Sequence, residues 1–156
     1  VLSIFIIITV LFFILLLRKK KNGESSEKES EIIDTYKDAL SNIQSLQDQK
    51  PVLSAKPFVF RLSEILRIYV ERVFKVPAME LTGEEFMREI ASHSFFKNRY
   101  DKILQEFVDQ GDRIKYSKEN SEDGQMNLLL ETALHFVKDT HEKLEEAKKV
   151  PSNSQT

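Results

Sequence analysis

The first 17 residues, VLSIFIIITVLFFILLL, carry no charge and only two polar side chains, Ser3 and Thr9, and they run straight into Arg18-Lys19-Lys20-Lys21. No other feature constrains the chain as tightly. A soluble helix of this length needs a polar face at 3.6-residue spacing, and this run has none, so it is predicted to be a transmembrane helix with lipid on every side. At 1.5 Å rise per residue, 17 residues cover roughly 26 Å, slightly less than the ~30 Å hydrocarbon core. The sequence begins at Val1 and not at Met, so the span is expected to start upstream or to be internal. A secretory signal has its cations before the apolar run and a small-residue cleavage site after it; here the order is reversed. By the positive-inside rule, Arg18, Lys19, Lys20 and Lys21 mark the cytoplasmic side. The prediction is a single-pass protein of the inner (cell) membrane with residues 18–156 in the cytoplasm. The same cations attract anionic headgroups at about 1 kcal/mol each.

Beyond Lys21 the remaining chain has the size of one domain. The formal charge is −2, and since Arg18 to Lys21 contribute +4, the rest carries about −6. An acidic domain without a basic stripe argues against nucleic acid, where phosphate neutralisation needs clustered Lys and Arg. There is no Cys, which excludes disulfides, thiolate metal sites and thiol catalysis. Four Gly, four Pro and little period-2 alternation point to an all-α fold, a bundle of about five helices over residues 30–148. A basic stop-transfer and polar linker precedes it at 18–29, and a disordered tail follows at 149–156.

Helical periodicity places the elements. A first helix is predicted from Ser30, an N-cap, to Gln49, with Ile33, Tyr36, Leu40 and Ile43 as its apolar seam and Lys50-Pro51 as its stop. A second covers Pro57–Phe74, with Phe58, Leu62, Ile65, Leu66, Tyr69 and Val73 inward and Arg67/Glu71 and Glu71/Lys75 as i,i+4 ion pairs. Thr82-Gly83-Glu84-Glu85 reads as a capping box opening a short third helix through Ala91, with Phe86 and Ile90 inward. A fourth is predicted over Phe95–Gln110, with Tyr100, Ile103, Leu104, Phe107 and Val108 inward and Gly111 as its left-handed cap. A charged connector, Asp112–Asn120, is pinned by Ile114 and Tyr116. The fifth helix runs from Ser121 to Lys148, where Met126, Leu130, Ala133, Val137, Thr140 and Leu144 form a heptad-like seam widened by Leu129 and Phe136.

Residues capable of chemistry are sparse. Glu131, His135 and Asp139 share a helix face, but no second His joins them because His141 points elsewhere, so they read as a solvated face and not a metal site. Glu84 and Glu85 project about 100° apart, and the capping role accounts for Glu85. Ser63 and Ser94 lack a nucleophile-elbow context, and the glycines form no phosphate-cradling loop. The expectation is therefore a non-enzymatic chain without catalytic residues, cofactor, metal or small-molecule substrate. A docking surface is expected on the exposed flank of the second helix and the Val76–Glu80 turn, which mix aromatic, Arg and Pro residues.

The stretch Phe60–Thr82, FRLSEILRIYVERVFKVPAMELT, resembles the pattern L-S-E-x-L-R-x-Y-x-E-x-x-F-x-x-P-A-x-E-x-T. That pattern marks the cytoplasmic helical region after the transmembrane segment of BatD-like proteins of aerotolerance operons, and of related small membrane-anchored helical proteins. It falls here on Leu62, Glu64, Arg67, Tyr69, Glu71, Phe74, Pro77, Glu80 and Thr82, among others. The likeness continues more loosely through Glu85-Phe86 and Gly111–Tyr116. The sequence departs at Phe74-Lys75-Val76, where the family often has Phe-Gly-Ile. The resemblance implies partners and no reaction: a MoxR-type AAA ATPase and membrane-anchored von Willebrand factor A-domain proteins, in a stress-related assembly. It offers no catalytic residues to carry over. The expected function is a membrane-anchored interaction module, with two alternatives: self-association through the 126–144 seam, and a helix-turn-helix-like nucleic-acid or signalling domain over Glu84–Val108.

Overall fold

The computed structural model describes residues 30–116 and 123–149, and all regular structure among them is helical. Residues 30–49 form the first helix, followed by α2 (Ala55–Phe74), α3 (Gly83–Ser92), α4 (Asp101–Tyr116) and α5 (Asp123–Lys149). The chain divides into two units, residues 1–34 and 35–156. Of the first unit, residues 30–34 are described and are helical; α1 denotes residues 35–49, which belong to the second. The predicted span 1–17, the cations Arg18–Lys21, the linker 22–29, residues 117–122 and the tail from Val150 lie outside the described residues. Among the described residues no helix is long and apolar enough to cross a membrane.

In the second unit α1, α2, α4 and α5 form a bundle whose directions follow from a few contacts. The Cβ that Gly111 of α4 lacks would lie 3.4 Å from Val59 near the start of α2, while Tyr100, just before α4, donates to Asp139 late in α5 at 2.6 Å. Helix α4 is thus antiparallel to both α2 and α5, which run parallel to each other. Helix α1 opposes that pair from another side. Near its start Tyr36 stacks on His141 of α5 and Asp38 lies 3.7 Å from Arg72 of α2. At its end Gln49 accepts from Arg61 at 3.1 Å, and Lys50 donates to Asn127 at 2.7 Å.

Helix α2 begins two residues before the predicted Pro57, after Ser54 in an extended conformation, and Pro57 occupies the first turn, where a missing N–H costs nothing. Its buried residues, Phe58, Val59, Leu62, Ser63, Leu66, Tyr69 and Val70, cover more than one stripe. The predicted Ile65 and Val73 are only half-buried, because packing on several sides shifts the buried face towards Val59 and Val70. The helix ends at Lys75, whose backbone is left-handed at φ 59° and ψ 29° while its N–H still bonds Glu71 O. In α3 the capping box forms as predicted: Glu85 N–H donates to Thr82 Oγ1 at 3.3 Å and Thr82 N–H to Glu85 Oε2 at 2.9 Å. The Thr82 N–H bond, joined by one from the Thr82 hydroxyl at 2.8 Å, holds the Glu85 carboxyl below its ordinary value. Phe86 and Ile90 are buried beside Met87.

Parts of the predicted helix faces and ends need correction. The inward face of α1 is Thr35, Ala39, Ile43 and Leu46, not the seam through Tyr36 and Leu40, which pack only at the margin. Thr35 and Ala39 line the groove that α1 shares with α2, and Tyr36 turns aside to meet His141. The fourth helix starts six residues late. Residues 94–100 form turns in which Asn98 takes φ 62°, a left-handed conformation that Asn tolerates, and the turns gather Phe95, Phe96 and Tyr100 into one ring cluster. Gly111 is no cap: α4 runs through it to Tyr116. The bare backbone there faces Val59 and Ser63 of α2, so glycine serves close helix packing. Ile114 is buried as expected, but Tyr116 is 77% exposed.

Helix α5 follows its prediction most closely. Met126, Leu129, Leu130, Ala133, Phe136, Val137 and Thr140 are all buried, with Leu144 at the margin. The heptad-like seam therefore packs against the chain's own bundle. The helix continues one residue past the predicted Lys148.

The left-handed cap of α2 yields a direct test. Lys75 has a Cβ where glycine has no steric penalty. Lys75→Gly is expected to stabilise the protein by about 0.5–1 kcal/mol, read as a higher urea midpoint with an unchanged m-value.

Candidate interaction surface

The loop from Val76 to Leu81 leaves α2 and returns the chain to α3, and Arg67 positions it. Its guanidinium donates to Ala78 O at 2.7 Å and to Leu81 O at 2.5 Å, and lies 4.9 Å over the Phe86 ring. Burial lowers its proton affinity, and the Asp112 carboxylate offsets part of that. The predicted Arg67/Glu71 pair therefore gives way to loop contacts, because Glu71 Oε2 accepts from Met79 N–H at 3.0 Å. Each carbonyl left without a partner here would cost about as much as a lost hydrogen bond. A planar fork reaching two of them is a task suited to Arg and not to Lys.

Most residues of the family-like pattern turn out to build the scaffold. Leu62 and Tyr69 are buried, and the Tyr69 hydroxyl meets Thr140 Oγ1 at 2.9 Å. Phe74 sits in a cluster with Phe95 at 4.8 Å, Phe96 at 4.5 Å and His93 at 6.1 Å, so His93 belongs to the packing. Thr82 caps α3. Among the pattern's residues, Glu64, Pro77 and Glu80 are exposed and have no structural task stated above. The membrane-flank residues Arg18, Lys19, Lys20 and Lys21 lie outside the described residues.

The exposed flank of α2 is one wall of a shallow groove shared with α1. One stretch of about 230 Å³ is lined by Asp38, Ala39, Ile65, Ile68 and Arg72, among others. It adjoins a stretch of about 340 Å³ walled by Asn42, Gln49, Arg61 and Glu64. Both lie near or below the lower end of the volumes typical of small-molecule sites. The first stretch has the apolar Ala39, Ile65 and Ile68 in its lining, the second is mainly polar, and charges of both signs line the groove. Glu131 and His135 are exposed, as a solvated face requires, and Asp139 is engaged by Tyr100. Among the described residues no three His, Asp or Glu side chains are grouped to hold a metal.

Sequence reasoning missed further exposed apolar side chains, away from the Val76–Leu81 loop. Phe60, Tyr116 and Leu128 are each at least half exposed, and Lys115 Nζ lies 5.4 Å over the Phe60 ring. A signal for Leu128 was present: three consecutive leucines, 128–130, sweep about 200° of a helix, so they cannot all face one seam. Compared with models of protein families, with curated proteins and with solved structures, the chain matches none.

Because Arg67 closes the loop, Arg67→Met, which keeps the aliphatic stem, is expected to destabilise the protein by about 2 kcal/mol in urea unfolding. Arg67→Lys should recover less than half of that loss.

Proposed function

We propose that this protein is a membrane-anchored, non-enzymatic interaction module, with residues 1–17 spanning the inner membrane and residues 18–156 in the cytoplasm. The observation that carries the reading is the uncharged 17-residue run abutting four consecutive cations. Such a run satisfies both the spanning requirement and the charge rule for orientation. The module works by position. Its anchor holds a helical surface at the membrane face, where a soluble or membrane-bound partner meets it. The resemblance of Phe60–Thr82 to BatD-like proteins supplies the partner class, a MoxR-type AAA ATPase together with von Willebrand A-domain proteins. The α1–α2 groove and the loop at Val76–Glu80 are the surface proposed to meet them, through Arg61, Glu64, Pro77 and Glu80.

Expressed in a bacterium, the full chain should remain in the membrane pellet after alkaline carbonate washing. Replacing Ile6, Ile7 and Leu11 with Asp, at about 3 kcal/mol per charge near the span centre, should release it to the supernatant. A wild-type chain recovered in the soluble fraction would refute the anchor.

A further inference from the structure

We infer that the contact between α1 and α5 is a pH-responsive latch: the Tyr36–His141 ring pair holds α1 in the bundle while the imidazole is neutral and lets it go once the imidazole is protonated. The two rings are stacked, with centroids 3.8 Å apart and planes 7° from parallel. Among the described residues, His141 Nδ1 is the buried side-chain polar atom without a hydrogen-bond partner. A neutral imidazole with its proton on Nε2 presents only a lone pair there. The doubly protonated ring must carry an N–H at Nδ1, and the stack offers that donor no acceptor.

The charged surroundings do not rescue the cation. On α5, Glu145 favours protonation and Lys148 opposes it, and those two side chains are paired with each other at 2.7 Å. From α1 the ring meets the Tyr36 phenol. Of that residue's neighbours, Lys37 is exposed and Asp38 is paired with Arg72 of α2. From α2, Arg72 is paired with Asp38, and Tyr69, which bonds Thr140 next to His141, is a phenol that burial pushes up to about 12, so it stays neutral. An imidazolium is attracted to a π face, yet burial is the leading influence on this ring and lowers its affinity for a proton below the ordinary value of 6.5. Between pH 6.5 and that lower value His141 binds more protons when α1 is detached than when it is docked. Docking is therefore strongest above pH 6.5 and weakens as the pH falls through it. Release of α1 opens its groove with α2 and uncovers Ile65 and Ile68. This inference does not depend on the proposed membrane role.

Hydrogen exchange on the full chain in detergent micelles, corrected for intrinsic rates, tests it. Protection of α1 amides relative to α4 amides should drop about tenfold between pH 7.5 and pH 5, the effect of one unpaired buried donor. His141→Phe, which keeps a stacking ring and removes the titration, should make the ratio independent of pH. An unchanged ratio in the wild type, or a drop that persists in His141→Phe, would overturn the latch. Should the variant fail to fold, NMR titration of the His141 ring in the wild type decides: a midpoint below 6.5 supports the latch, and one at or above 6.5 overturns it.

Discussion

One buried hydrogen bond sets the relation of the two central helices. Tyr69 is 1% exposed, and a phenol taken so far from water needs a partner. It finds Thr140, whose own hydroxyl reaches back to Phe136 O at 2.7 Å. Tyr69 also packs edge-on against Phe136. Sliding α2 along α5 by a turn would strand that hydroxyl among apolar side chains, so the bond fixes the register of the parallel pair. The neighbours follow from it. Gly111 lets α4 close on α2, the rings of Phe96 and Tyr100 seat its start against Phe136, and α1 lies along the remaining face of the pair.

How much of this was legible in the sequence depended on whether the signal was local. The Thr82–Glu85 box and the Met126–Thr140 stripe each rest on side chains within a turn or two of one another, and both appear as read. The face of α1 did not follow from periodicity, because Tyr36 is apolar enough to pass for core yet stacks on His141 at the margin, while the smaller Thr35 and Ala39 are buried. Gly111 failed for a related reason. Glycine after an apolar run often caps a helix, but here a contact with a helix about fifty positions earlier, and not local turn chemistry, decides its use: Val59 stands opposite it. The start of α4 was hidden by the left-handed Asn98, which no apolar spacing reports.

The candidate surface was less legible than the fold. Charged and aromatic residues at pattern positions read as a docking face, yet Arg67, Glu71, Phe74 and Thr82 are engaged in closing a loop, filling a ring cluster and capping α3. A half-buried Arg over a loop looks in sequence like any exposed Arg, since nothing local indicates which carbonyls it meets. The interaction reading therefore draws on Glu64, Pro77, Glu80 and the α1–α2 groove, and its setting draws on the apolar run at residues 1–17.

The Tyr69–Thr140 bond as the element that fixes helix register is tested most directly by a double-mutant cycle. Tyr69→Phe and Thr140→Val each remove a hydroxyl while keeping shape, and urea unfolding of both single variants and the double variant gives their coupling. A coupling of about 1 kcal/mol, with the double variant losing less than the sum of the two, is predicted. Additivity within ~0.3 kcal/mol would contradict it and return the register to apolar packing alone.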